Sequence, residues 1–167
     1  MSADASAQAK ASLAEQGIAF ESHSHAAVMT VAEQEAVTGD IKGFHTKNVF
    51  IKDKKHGMFL ITARHDAQIG NAVLPKMLGL TGKTNLRMCS ADVLKEKLAG
   101  AQGHLSPLNV MHNKDNDVTF CLDSALLEGE GPVCCHPCFN EETVTLSGAD
   151  LVKFATAHGH APKMIEC

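Results

Sequence analysis

Three short segments of this 167-residue chain carry the side chains best suited to chemistry. The first is Gly103-His104-Leu105-Ser106-Pro107. Gly103 allows backbone angles that a side chain would forbid, and Pro107 fixes φ at the other end. A loop constrained at both ends can point several N–H groups in one direction. Such an array binds an anion, or the oxyanion that forms when an acyl group is attacked.

The other two segments begin with Lys47-Asn48 and with His136-Pro137, and the second of them ends at Asn140. They add a lysine, two asparagines and a histidine to the glycine loop. Together these groups suit the binding of a polar or anionic ligand and the stabilisation of a developing oxyanion. They do not by themselves identify a substrate.

Six cysteines offer two alternative chemistries. The cluster Cys134-Cys135-His136-Pro137-Cys138 is compatible with a zinc site or with a Cys–His nucleophile pair. A zinc site would need a second, separated pair of ligands, to which Cys167 could contribute one. Adjacent cysteines on a strand face opposite sides, so only some could reach a pocket. We expect instead free, buried thiols on a strand, His136 facing a pocket, and neither a metal nor another cofactor. The full set of cysteines is Cys89, Cys121, Cys134, Cys135, Cys138 and Cys167.

Composition indicates one soluble globular domain spanning residues 1–167, with 44% hydrophobic and 20% charged residues. No apolar run is long enough to span a membrane, and the polar residues 1–6 lack the apolar centre of a signal peptide. We therefore expect a cytosolic protein without a membrane partner. The net charge of −4 argues against broad coating of nucleic acid, but it permits docking of one nucleic-acid end through a few lysines. Motifs of serine hydrolases, HExxH metalloproteases and P-loop nucleotide-binding proteins are absent.

Hairpins and helices alternate without a repeating βαβ pattern, which predicts an α+β fold with a mixed or antiparallel sheet. Thr30 with Glu33 forms a capping box that predicts the start of a helix. Lys54 and Lys55 lie in the basic tip of a predicted hairpin, whereas Lys47 lies where its first strand begins. Predicted helices cover 3–16, 30–39, 67–78, 91–98, 123–127 and 147–158. Predicted strands cover 18–23, 47–51, 58–62, 85–88, 108–111, 118–122, 133–135, 144–146 and 164–165.

The three segments, in this order and spacing, resemble the signatures of the free-standing prolyl-tRNA editing proteins. This ProX, PrdX and ProXp-ala group belongs to the YbaK and aminoacyl-tRNA synthetase-associated domain superfamily. The resemblance runs from about His25 to the C-terminus. It implies a single YbaK-like domain, with a largely antiparallel mixed sheet or partly open barrel flanked by helices. Two departures are Ala26, where the family often has proline, and the cysteines at 134, 135 and 138.

The resemblance implies trans-editing, the hydrolysis of mischarged tRNA(Pro) and chiefly of Ala-tRNA(Pro). By analogy, the Gly103 loop polarises the ester carbonyl, and water attacks with help from the terminal ribose hydroxyl. Lys47, Gly103 and His136 are the expected catalytic residues: Lys47 would pair with a terminal phosphate or orient the aminoacyl end, and His136 and Asn48 would fix the substrate. Asn140 would also brace the turn after His136. The expected substrate-binding residues are Thr30, Asn48, His104, Leu105, Ser106, Pro107 and Asn140.

Other functions stay open at this point. A Cys-tRNA(Pro) deacylase is the alternative within the same superfamily, although the His136-Pro137 segment favours the alanine-specific group. A non-catalytic module that binds tRNA ends or a synthetase is an alternative of another class. The expected partners are the 3′ end of aminoacyl-tRNA(Pro) and, as a further interaction, prolyl-tRNA synthetase.

Overall fold

The fold is built around one long strand that pairs with three others. A computed structural model describes residues 3–129 and 131–167, so Met1 and Ser2 of the polar N-terminus lie outside it. The central strand β2 (Phe44–Asp53) pairs antiparallel with β3 (Gly57–Arg64) and β4 (Arg87–Met88) and parallel with β6 (Val133–Cys135). The other strands are β1 (Glu21–Ser24), β5 (Val118–Asp123), β7 (Glu142–Leu146) and β8 (Lys163–Ile165).

The described residues form one eight-stranded sheet in the order β1-β7-β6-β2-β3-β5-β8, with β4 beside β2. Four pairings are antiparallel and three are parallel. The predicted α+β fold with a mixed sheet is therefore confirmed. The helices are α1 (Ala3–Glu15), α2 (Val31–Thr38), α3 (Leu74–Met77), α4 (Ala91–Leu98), α5 (Ala125–Glu128) and α6 (Gly148–Ala157), and a 3₁₀ helix spans Pro107–His112. None of the described helices is long and apolar enough to cross a membrane.

Both faces of the central strands are covered, because neighbouring residues point to opposite sides. Phe50 packs into the larger core cluster with Phe120 and Phe154, while Ile51 packs into a smaller cluster with Leu74 and Leu78 of the α3 region. This alternation follows from the period of two along a strand. It also decides which face of β2 each neighbouring polar residue can occupy.

The prediction of a strand over 108–111 is wrong. Ser106 accepts a hydrogen bond from Leu108 N–H, and the Asn109 side chain accepts one from Ser106 N–H, which completes a capping box. Pro107 follows the cap, where its fixed φ favours a helical start. These local signals form the 3₁₀ helix and outweigh the short apolar run.

Two other predicted elements are displaced. The helix predicted over 67–78 is reduced to Leu74–Met77, because Pro75 is accommodated only in a first helical turn. The strand predicted over 18–23 begins at Glu21, because Ile18 N–H instead bonds to the Leu13 carbonyl and the Ile18 side chain is buried. The capping box of Thr30 with Glu33 at the start of α2 is confirmed.

Candidate active site

A cavity of about 210 Å³ lies between β2, the Gly103 loop and the start of α2. Six of the ten predicted site residues line it. Four further residues of its wall were not predicted from the sequence. The predicted lining residues are Thr30, Lys47, Asn48, Gly103, Leu105 and His136, and the others are Val28, Met29, Gln34 and Thr46.

Gly103 adopts a φ of 83°, which confirms the left-handed conformation predicted for it. Its Cα also lies against a side chain, since a Cβ placed there would come within 2.6 Å of Met29 Cε. The N–H groups of His104 and Ser106 are used inside the loop, by the Ala101 carbonyl and the Asn109 side chain. The amides of Gly103 and Leu105, both on the cavity wall, remain as the candidate donors to an oxyanion.

The loop is fastened to the central hairpin by the side-chain amide of Asn48. Its Nδ2 donates to the Leu105 carbonyl at 3.1 Å, and its Oδ1 accepts from Thr62 Oγ1 at 2.6 Å. Asn48 was predicted to bind substrate. The contacts in the structure show that it holds the Leu105 backbone beside the cavity.

Four of the predicted substrate-binding residues lie behind the wall instead of lining it. Ser106 and Pro107 are buried at the start of the 3₁₀ helix. The His104 ring stacks on Phe139, with ring centroids 5.9 Å apart, and its Nδ1 accepts from Asn140 N–H at 3.1 Å. Asn140 is buried, and its Nδ2 donates to the Val28 carbonyl at 2.9 Å. These contacts position the loop and the α2 approach.

His136 faces the cavity as a neutral acceptor. Its Nδ1 lies 2.8 Å from the Glu142 carbonyl, which can only accept, so Nδ1 carries the proton and Nε2 is left with a lone pair. Burial lowers the pKa of His136 below the ordinary histidine value. The ring of His25 lies 6.2 Å away, held by Thr143.

Lys47 belongs to the cavity wall, but its ammonium group is directed towards the loop after β3. It donates a hydrogen bond to the Ala67 carbonyl. Strand alternation places Lys47 on the face of Val49 and Ile51, opposite to Asn48. In the part of the chain that the structure describes, no carboxylate forms a salt bridge with Lys47. A half-buried cation of this kind can accept a phosphate as an additional partner.

The cysteine cluster stands apart from the cavity. Cys134 and Cys135 are buried on β6, as predicted, whereas Cys138 is buried in the turn that follows and does not belong to the strand. Burial raises the pKa of Cys134 to about 11 and that of Cys138 to about 12, and it raises the pKa of Cys135 as well. A thiol in that state is a poor nucleophile. Among the described residues, no group of three or more histidine, cysteine or acidic side chains is arranged to hold a metal ion.

Known proteins resemble this chain along most of its length. The family model of the aminoacyl-tRNA editing domain matches residues 25–154. Prolyl-tRNA synthetase associated domain-containing protein 1 of Mus musculus is 42% identical over 140 residues, which cover 83% of this chain and 82% of that protein. The prolyl-tRNA editing protein ProX of Acetoanaerobium sticklandii is 32% identical over 167 residues, or 99% of each chain.

The fold also matches solved structures. A crystal structure described as that of a candidate trans-editing enzyme for prolyl tRNA synthetase superposes with a TM-score of 0.73. The match covers 97% of this chain and 95% of that one, at 16% identity. At this identity the likeness concerns the fold, and it agrees with the architecture implied by the sequence resemblance.

We predict that Gly103→Val reduces hydrolysis of an aminoacyl ester by about 10²–10³-fold, the usual effect of losing one oxyanion donor. Valine disfavours the left-handed backbone, and its Cβ would displace Met29 from the wall. The measurement is single-turnover hydrolysis, with circular dichroism to confirm folding.

Gly70→Val is the matched control for this prediction, because a Cβ at Gly70 would meet no atom within 4 Å. This variant should hydrolyse the ester at the wild-type rate. A folded Gly103→Val protein with an unchanged rate would show that the loop does not hold the oxyanion.

Proposed function

Because this chain belongs to the aminoacyl-tRNA editing domain family, we propose that it is a trans-editing deacylase selective for Ala-tRNA(Pro). The observation that carries the proposal is the small cavity in which the Gly103 loop faces His136. Candidate backbone donors and an imidazole acceptor line the same cavity, and backbone donors of this kind can stabilise the oxyanion of ester hydrolysis. The relatives named as prolyl-tRNA editing and synthetase-associated proteins support the same class of substrate.

Selectivity for alanine follows from size. A synthetase pocket built for proline cannot strongly reject a smaller apolar amino acid, because one missing methylene is worth only ~1–3 kcal/mol. A second site can sort in the opposite sense by admitting alanine and excluding proline. The cavity of about 210 Å³ is below the usual range for ligand pockets, which favours a small acyl group.

In the proposed reaction, the amides of Gly103 and Leu105 stabilise the negative charge that develops on the ester oxygen. Water adds to the carbonyl carbon with help from the neighbouring ribose hydroxyl. The bond to the ribose oxygen then breaks, that oxygen takes up a proton, and free alanine and tRNA are released. His136 Nε2 accepts a hydrogen bond from the ammonium group of the aminoacyl end and so fixes its orientation. No protein nucleophile is needed, which agrees with the raised pKa values of the buried thiols.

A panel of tRNA(Pro) charged with alanine, cysteine, serine or proline tests the proposal. We expect rapid loss of alanine, slow or no loss of proline, and no effect of thiol alkylation on the rate. Equal cleavage of the alanyl and prolyl forms would contradict editing by size. A preference for the cysteinyl form would make the protein a Cys-tRNA(Pro) deacylase, and binding without hydrolysis would make it a non-catalytic module.

The role of His136 predicts a pH dependence with a defined sign. The ring must be neutral to accept a hydrogen bond, and its pKa is lowered by burial. The deacylation rate, corrected for spontaneous hydrolysis, should stay constant down to the ordinary histidine pKa of about 6.5 and fall only below it. There, a protonated ring would repel the substrate ammonium. His136→Gln should be slow at every pH and lose this transition, whereas a transition kept in that variant would place the titrating group elsewhere.

Lys47 predicts a contrast among the lysines of one hairpin. If its ammonium group turns from the Ala67 carbonyl to the aminoacyl end of the substrate, Lys47→Ala should strongly reduce deacylation and leave the fold intact. Lys54→Ala and Lys55→Ala should have much smaller effects, because these exposed tip residues contribute only screened attraction. Rates measured from low to moderate salt should show that only the Lys47 defect persists. Equal losses at all three positions, removed together by salt, would contradict a specific role.

A further inference from the structure

A second cavity lies on the other side of the Gly103 loop. Its volume is about 270 Å³, and it shares Asn48, Gly103 and Leu105 with the first cavity. None of the described residues that line it carries a carboxylate, and its wall is mostly apolar. The remaining lining residues are Phe50, Met88, Cys89, Ala91, Leu94 and Gln102.

Two cations stand together on the strands next to this cavity, where they line a separate cavity with Asp53 and Asn85. Lys52 of β2 and Arg87 of β4 are direct cross-strand partners. Side chains in that relation extend from the same face, where like charges destabilise the pair. Both residues are exposed, and neither forms a salt bridge within the described part of the chain. A pair of cations without a carboxylate partner is suited to a phosphate group.

These features follow one another along a single strand face. Asn48, Phe50 and Lys52 are alternate residues of β2, so their side chains point to the same side. Asn48 reaches the first cavity, Phe50 lines the second, and Lys52 lies beyond it. Four residues of extended strand span about 13 Å, which is within reach of one nucleotide and a long basic side chain.

The charge of Lys52 lies close enough to the second cavity to act on Cys89 in its wall. Burial raises the pKa of this thiol to about 11, and the Lys52 ammonium opposes that rise. The Cys89 N–H also bonds to the Phe50 carbonyl at 3.0 Å, which joins the two strands at the cavity. The residues of the apolar wall and the basic pair are therefore neighbours on the paired strands β2 and β4.

We infer that this face of β2 binds the single-stranded 3′ end of RNA, with the terminal nucleobase in the second cavity and the adjoining phosphate on Lys52 and Arg87. The inference rests on the proposed function, in which the ester carbonyl lies at the Gly103 loop. The base on the same ribose must then lie beside that loop. An apolar slot receives the faces of a base, and the Gln102 amide at its edge offers both a donor and an acceptor.

Cys89 provides a test that needs no hydrolysis. Cys89 is half-buried on the cavity wall, Cys167 is exposed elsewhere, and the other cysteines are buried. The probe is the RNA trinucleotide CCA, and the comparison is the same trinucleotide without its terminal base. At about ten times the dissociation constant, CCA should slow alkylation of Cys89 about tenfold, since only free protein reacts. Cys167 should react at the same rate throughout, and the abasic probe should not protect Cys89.

Charge-removing variants test the phosphate contact. Lys52→Gln and Arg87→Gln should each weaken CCA binding several-fold and reduce the slope of log affinity against log salt by about 0.7. Lys54→Gln removes an exposed charge from the same hairpin and is the matched control, with little expected change. During deacylation, the loss in the Lys52 and Arg87 variants should fall on KM more than on kcat. Equal effects of all three substitutions would overturn the assignment of the phosphate.

The alternative occupant of the second cavity is the amino-acid side chain. Ala91→Trp, which fills this cavity from its rim, separates the two. This variant should abolish the difference between CCA and the abasic probe in protecting Cys89. It should leave the ratio of alanyl to prolyl hydrolysis unchanged. If Ala91→Trp changed the ratio of alanyl to prolyl hydrolysis while CCA still protected Cys89, the cavity would be an acyl pocket. That result would overturn the inference.

The inference and the proposed function can fail separately. Protection of Cys89 by CCA in a protein that hydrolyses no tRNA(Pro) ester would keep the RNA site and reject the deacylase. Hydrolysis of Ala-tRNA(Pro) with no base-dependent protection would keep the deacylase and reject the site.

Discussion

The amide of Asn48 sets the position of the Gly103 loop against the central hairpin, and both cavities depend on that position. One end of this planar group accepts from Thr62 on β3, and the other donates to the Leu105 carbonyl. Thr62 is fully buried, so its hydroxyl has little access to water as a substitute partner. Because both bonds pass through one rigid amide, a shift of the loop would break at least one of them. The loop backbone is thus fixed by a side chain on a different element.

The part of the cavity wall opposite the Gly103 loop is also held in place by an asparagine side chain. Asn140 holds the Val28 carbonyl through its side chain and His104 through its backbone N–H. The turn that brings it there contains Cys138 at a φ of 62°, a strained value for a residue with a side chain. Such strain persists only where surrounding contacts determine the conformation, and Cys138 is completely buried. The turn therefore places His136 on the cavity wall and Asn140 behind it.

Sequence reasoning succeeded where the determining interactions are local. The capping box at Thr30, the helix over 91–98 and the positive φ of Gly103 depend on residues within a few positions of each other. It failed at 108–111, where an apolar run resembles a strand and only the Ser106–Asn109 capping box determines the 3₁₀ helix. That signal was readable, since serine followed by proline and then asparagine marks a helical start.

Other features could not be read from local patterns. Met29 contacts Gly103 across more than seventy positions of sequence, and nothing in its neighbourhood marks it as part of a wall. The direction of the Lys47 ammonium depends on where the chain passes after β3, and the hold of Asn48 on the Leu105 backbone depends on Thr62 lying opposite it. The resemblance supplied which residues gather at the site. It did not supply which of them face the cavity and which support it.

A site that acts through backbone amides depends on the core residues that hold those amides in place. The groups proposed to bind the oxyanion belong to Gly103 and Leu105, and no side chain at either position performs that task. Their directions depend instead on Asn109, which is buried and bonds both Ser106 N–H and the Leu98 carbonyl at the end of α4. Substitution there would leave buried polar groups unpaired and move the loop without touching any substrate. In the proposed reaction, core residues of this kind belong to the catalytic geometry as much as residues of the wall do.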